Sequence, residues 1–121
     1  MIDASSEDTI ANSFAGIGID LEIEKANISQ VLIKLKQMKE DWLLLFDNAN
    51  NPELHLANFF PSSKHGNIII TTRNASLESL SPDCCIGVST LDEEVAIQLF
   101  LKKSRVQSSE ENIALARTLV N

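Results

Sequence analysis

The hydrophobic pattern changes period several times along the chain. Ser5 and Ser6 precede Glu7 and Asp8, and Ile10, Phe14 and Ile17 follow at i, i+4 and i+7. That spacing predicts a helix with a serine at its start. Gly16 and Gly18 are expected to loosen its end. A second helix is clearer. Asn27-x-x-Gln30 has the form of a capping box, and Ile28, Val31, Leu32, Leu35 and Met38 then mark one apolar face. Lys34, Lys36, Lys39 and Glu40 lie largely off it, so the stripe reads as core packing.

The period is lost at Trp42-Leu-Leu-Leu-Phe46, an unbroken apolar run that stops at Asp47. Neither a helical nor an alternating template fits it. Such a run predicts a strand buried on both faces, as in parallel sheets with helices on both sides. Pro52 in Asn50-Asn51-Pro52-Glu53 suits the first position of a short helix. Residues 61–66 read as a loop. Asn67-Ile-Ile-Ile-Thr-Thr72 predicts a second buried strand, with Arg73 just past its end. A weak helix is expected over Ala75–Leu80 and a third strand over Cys84–Val88. Thr90-x-x-Glu93 predicts a helix start with Val95, Ala96, Leu99 and Phe100 inward. Ser108-x-x-Glu111 opens a last helix, with Ile113, Ala116 and Val120 on one face. Met1-Ile2-Asp3 is too short for a full strand. This alternation predicts an α/β domain with a parallel sheet.

Composition narrows the class. Within the 121 residues, 44% are hydrophobic and 22% charged, which fits a folded globular chain. The longest apolar run falls far short of the ~20 residues of a membrane span, and no secretory leader pattern opens the sequence. The formal charge of −7 disfavours nucleic acid or an anionic membrane as partner. Cys84 and Cys85 are neighbours and form no CxxC motif; they are expected as buried thiols in a reducing cytoplasm. His55 and His65 have no companions at zinc-ligand spacing.

Candidate chemistry lies at the strand ends. In open parallel sheets, ligands bind beyond the carboxyl ends of the strands. Asp47-Asn48, Thr71-Thr72-Arg73 and Ser89-Thr90 are all expected on that one edge. A carboxylate such as Asp47 can hold Mg²⁺ against phosphate oxygens, and Arg73 can offset phosphate charge.

The full pattern resembles the NB-ARC nucleotide-binding domain of STAND-type P-loop NTPases. These are the switch modules of plant resistance proteins, apoptotic protease activators and fungal receptor-like proteins. Leu43-Leu-Leu-Phe-Asp47 resembles the Walker B strand. Gly66-Asn-Ile-Ile-Ile-Thr-Thr-Arg73-Asn74 is similar to the sensor strand, and Val88–Phe100 to the strand and helix that follow it. Trp42 and Asn48-Ala49-Asn50 are most similar to the fungal branch. The resemblance implies a three-layer P-loop NTPase-like sheet with helices on both faces. It implies Mg²⁺ at Asp47, ADP or ATP contacted by Thr72 and Arg73, and signalling by a cytoplasmic molecular switch.

The resemblance is to the middle of that domain. No G-x-x-x-x-G-K-[ST] loop occurs, and no Gly-Leu-Pro-Leu motif follows Ala116-Arg-Thr-Leu-Val-Asn121. Ile2-Asp3 resembles the tail of the family's second strand, so the first strand is expected upstream. In the family that strand lies between the Walker B and sensor strands. The sheet is therefore expected to be incomplete, with residues 43–47 and 68–72 either gapped or closed by direct pairing. Asn48 stands where many P-loop NTPases carry a second acid, and an amide cannot act as a general base. Tight nucleotide binding and hydrolysis are not expected of residues 1–121 alone. Two alternatives stay open. One is a receiver-like phosphoacceptor at Asp47, with Thr72 as the hydroxyl. The other is an interaction-only or decoy module that pairs with itself or with a full-length relative.

Overall fold

Three parallel strands frame the first part of the chain. The computed structural model describes residues 1–120, which divide into two units, Met1–Cys85 and the segment from Ile86 onward. In the first unit, β1 (Ile2–Asp3), β2 (Leu43–Asp47) and β3 (Asn67–Ile70) pair in the order β1-β2-β3. Leu43 is in register with Asn67 and Phe46 with Ile70. The gap expected between residues 43–47 and 68–72 is thus closed by direct pairing. At the two ends of β3, the Asn67 N–H donates to the Trp42 carbonyl and the Thr71 N–H to the Phe46 carbonyl, both at 2.9 Å. Ile2-Asp3 is a strand after all, because its two residues find an edge of β2 to pair with.

Helices α1 (Glu7–Asp20) and α2 (Ile28–Gln37) start where side chains satisfy their free N–H groups. Ser6 and Thr9 cap each other's backbone at the first, Asn27 and Gln30 at the second. The glycines do not end α1 early. Gly18 is buried in its last turn, where a Cβ would run into Ala26. The short helix expected from Pro52 is absent. Asn51 instead accepts from the Glu53 N–H at 3.0 Å, forming a tight turn, and a 3-10 turn follows at Leu56–Phe59. Ala75–Leu80 is likewise 3-10.

Strand alternation decides which residues reach the core. Trp42, Leu44 and Phe46 point to the helices. The Phe46 ring lies 6.5 Å from Phe14 of α1 and 5.4 Å from Phe60, centroid to centroid. The Trp42 indole N–H donates to the Leu35 carbonyl of α2 at 3.0 Å. Ile2, Ile10, Phe14, Val31, Phe46 and Leu56 form the fully buried centre. Leu43, Leu45 and Ile69 occupy the opposite face, where Leu43 is 58% and Ile69 51% exposed. Within residues 1–85, then, α1 and α2 cover one face of a three-stranded parallel sheet, an α/β arrangement. An unbroken apolar run cannot tell a doubly covered strand from one whose second face lacks a neighbour.

The strand expected over Cys84–Val88 is absent. Residues 84–88 form no ladder, and Cys84 and Cys85 are exposed rather than buried. The run is short, and Gly87 within it has no side chain to pack. The second unit is a pair of helices, α3 (Glu93–Ser104) and α4 (Glu110–Val120). Ile97, Leu101 and Ala116 form its small core, with Ile113 and Val120 against it. The inward face of α4 is as expected. That of α3 is not: Val95, Leu99 and Phe100 are exposed, and only Ala96 of the expected set is partly covered. Its N-cap is Asp92, with no bond from a Thr90 cap. Arg117 Nε pairs with Glu93 Oε1 across the two helices at 3.1 Å. No helix among the described residues is long and apolar enough to cross a membrane.

Candidate functional site

All three strands end on one edge, and their first polar residues meet there. Asp3 is in register with Asp47. Continuing the β2–β3 register past Phe46 and Ile70 sets Asp47 beside Thr71. By alternation these three side chains leave the sheet on the face that the helices do not cover. The Thr71 hydroxyl donates to Asp47 Oδ1 at 2.5 Å and accepts from the Asn48 N–H at 3.0 Å. Asp3 Oδ1 accepts from the Ser5 N–H at 3.0 Å, which closes the turn into α1. The other oxygen of each carboxylate has no partner among the described residues.

The segments after β2 and β3 are tied together. Asn48 has φ +62°, a left-handed conformation that asparagine tolerates better than most residues. This bend brings the Ala49 N–H to the Thr71 carbonyl at 3.0 Å. The Thr72 hydroxyl donates to the Ala49 carbonyl at 2.6 Å and accepts from the Asn74 N–H at 2.8 Å. Asn50 Oδ1 accepts from the Arg73 N–H at 2.7 Å. Around this edge lies an open cleft of about 530 Å³, lined chiefly by Asp3, Asp47, Asn50, Thr71, Thr72 and Arg73. Arg73 is exposed, and its guanidinium has no partner among the described residues.

The residues singled out from sequence therefore come together in part. Asp47, Thr72 and Arg73 line one cleft. Thr72, however, spends its hydroxyl on the loop backbone, and Thr71 is the hydroxyl at Asp47. Ser89 and Thr90 lie on no strand and join no sheet edge. Asp3 and Asn50 carry no signal in the sequence that marks them as parts of the site, and of the two strand-end threonines the sequence pointed to Thr72 as the ligand contact. A two-residue strand has no period to read, and only register shows which of Thr71 and Thr72 shares a face with Asp47.

Chemically, the edge offers two carboxylates, a hydroxyl and a free guanidinium. Mg²⁺ is bound typically by one or two carboxylates, with waters and phosphate oxygens completing its octahedron. Asp3 and Asp47 fit that donor set, and Arg73 fits a phosphate. No group of three or more His, Cys, Asp or Glu side chains suited to a metal occurs among the described residues. Comparison with protein-family models, with curated proteins and with solved structures returned no match.

Proposed function

We propose that this chain carries the metal and terminal-phosphate side of a Mg²⁺-dependent phosphate-binding site, and that its ligand is ADP or ATP. The observation that carries this reading is the meeting of Asp47 and Arg73 on one sheet edge, with the guanidinium unpartnered. An acid for the cation and an arginine for the phosphate is the pairing that phosphoryl chemistry uses. The sequence resemblance to NB-ARC domains supplies the finer reading, a cytoplasmic nucleotide-dependent switch of a P-loop NTPase. In that reading the phosphate-cradling loop comes from outside residues 1–121. Calorimetric titration with ATP and ADP, with and without Mg²⁺, tests it. Binding that is Mg²⁺-dependent and lost in Asp47→Ala and Arg73→Ala supports it; binding indifferent to Mg²⁺ and to both substitutions overturns it.

One observation favours a second reading. Asp3 stands beside Asp47 on the sheet edge. A phosphoacceptor aspartate needs a neighbouring carboxylate for its Mg²⁺ and a hydroxyl near the acceptor, which Asp3 and Thr71 supply. Incubation with acetyl phosphate and Mg²⁺ followed by intact-mass measurement separates the two. Stable phosphorylation at Asp47 favours the phosphoacceptor.

A further inference from the structure

We infer that Asn50 is a positioning residue that sets where Arg73 meets a bound phosphate; the inference rests on the phosphate-site reading above. Asn50 works through both ends of its amide. Its Oδ1 accepts from the Arg73 N–H at 2.7 Å, and its Nδ2 donates to Asn48 Oδ1. Asn48 is itself fixed, because its N–H donates to the Thr71 hydroxyl that also holds Asp47. A chain of side-chain bonds thus runs from Asp47 through Thr71, Asn48 and Asn50 to the backbone of Arg73. Two further bonds, Ala49 N–H to Thr71 carbonyl at 3.0 Å and Thr72 hydroxyl to Ala49 carbonyl at 2.6 Å, keep the loops closed beneath it.

The physical consequence is preorganisation. A flexible loop loses backbone freedom when its arginine grips an anion, and that loss opposes binding. Fixing the Arg73 backbone at a set place relative to Asp47 removes part of the cost. Asn50 is half-buried and Arg73 exposed, so water can replace the amide contact when Asn50 is shortened. Folding then changes little, while the Arg73 backbone loses its side-chain anchor and is no longer held at one place relative to Asp47. Asn50 touches no phosphate in this scheme. It acts through Arg73, and its effect must vanish when Arg73 is gone.

The test uses the full chain, ¹⁵N-labelled, titrated with magnesium tripolyphosphate as the probe. Asn50→Ala is expected to weaken binding roughly tenfold, and Arg73→Ala at least as much. The double variant is expected to bind no more weakly than Arg73→Ala, since neighbours acting through one contact are not additive. The Arg73 backbone amide resonance should move in Asn50→Ala at nearly unchanged thermal midpoint. Asn48→Gly is the second variant: glycine keeps the positive φ but removes the oxygen that anchors Asn50, and it should give a similar, smaller loss. Binding by Asn50→Ala equal to wild type overturns the inference alone, as does a further full loss on top of Arg73→Ala. No binding by the wild type overturns the phosphate-site reading and this inference with it.

Discussion

Asp3 and Asp47 stand side by side in the parallel register of β1 and β2. Neighbouring strands lie about 4.8 Å apart, so two like charges share one sheet edge, and a cation held between them would offset their repulsion. Asparagine at position 3 keeps the oxygen that closes the turn at Ser5 and removes the charge. Asp3→Asn is expected to fold within about 0.5 kcal/mol of wild type yet to lose most of its affinity for Mn²⁺, used as a paramagnetic substitute for Mg²⁺. Relaxation enhancement of water protons checks the affinity, and urea unfolding checks the stability. Unchanged Mn²⁺ binding would remove Asp3 from the site.

The two threonines after β3 should separate cleanly. Thr72 bonds the Ala49 carbonyl and the Asn74 N–H, so Thr72→Val should cost about 1–3 kcal/mol in folding. Thr71 bonds Asp47 and the Asn48 N–H at the cleft. Thr71→Val should act chiefly on Mg²⁺-dependent ligand affinity, because its partners stay open to water. Denaturant unfolding beside calorimetric titration of both variants gives the comparison. Equal effects of the two on both measurements would contradict the assignment.

Adjacent leucines on β2 face opposite sides of the sheet. Leu44 is buried against the helices and Leu43 is mostly exposed. Leu44→Ala is expected to cost about 2–5 kcal/mol. Leu43→Thr should stay within about 0.5 kcal/mol and lower light scattering, since it breaks an open apolar patch with Leu45 and Ile69. Stability loss of similar size in both would mean that the second face is covered too.

Gly66 has φ +85°, and a Cβ there would enter the Trp42 ring. Gly66→Ala should therefore lose more than the roughly 1 kcal/mol of a strained backbone alone. Trp42 is the only tryptophan, so its fluorescence reports the displacement directly. An unshifted emission spectrum and unchanged midpoint would show that the loop accommodates the methyl group.

Nucleotide binding by residues 1–121 should be weak. Phosphate is held best by backbone N–H groups of a glycine-rich loop and the helix it opens, and no such loop occurs in the sequence. Calorimetry with Mg²⁺-ATP is expected to show a Kd weaker than about 10 µM, short of −7 kcal/mol of binding free energy. A tighter complex would mean that another segment cradles the phosphates.

The caps and stripes were legible in the sequence because they are local. Ser6, the Asn27–Gln30 box and the Val31–Leu35 face depend on residues within a turn or two of each other. So did the two apolar strands and the polar residues closing them, since five apolar residues ending at Asp47 have few other uses. What the tertiary structure alone decided is non-local. That β2 pairs directly with β3, that Asp3 finds Asp47, and that Thr71 rather than Thr72 reaches the carboxylate are matters of register between segments more than 20 residues apart. A run such as Leu43–Phe46 reads the same with one face covered or two. The placement of α1 and α2 on the Phe46 side buried Leu44 and Phe46 and set Leu43 and Ile69 on the other face. Cys84–Val88 shows the converse: apolar residues with strand propensity remain outside a sheet when no edge takes them, because a strand is stabilised by its partner and not by its own composition.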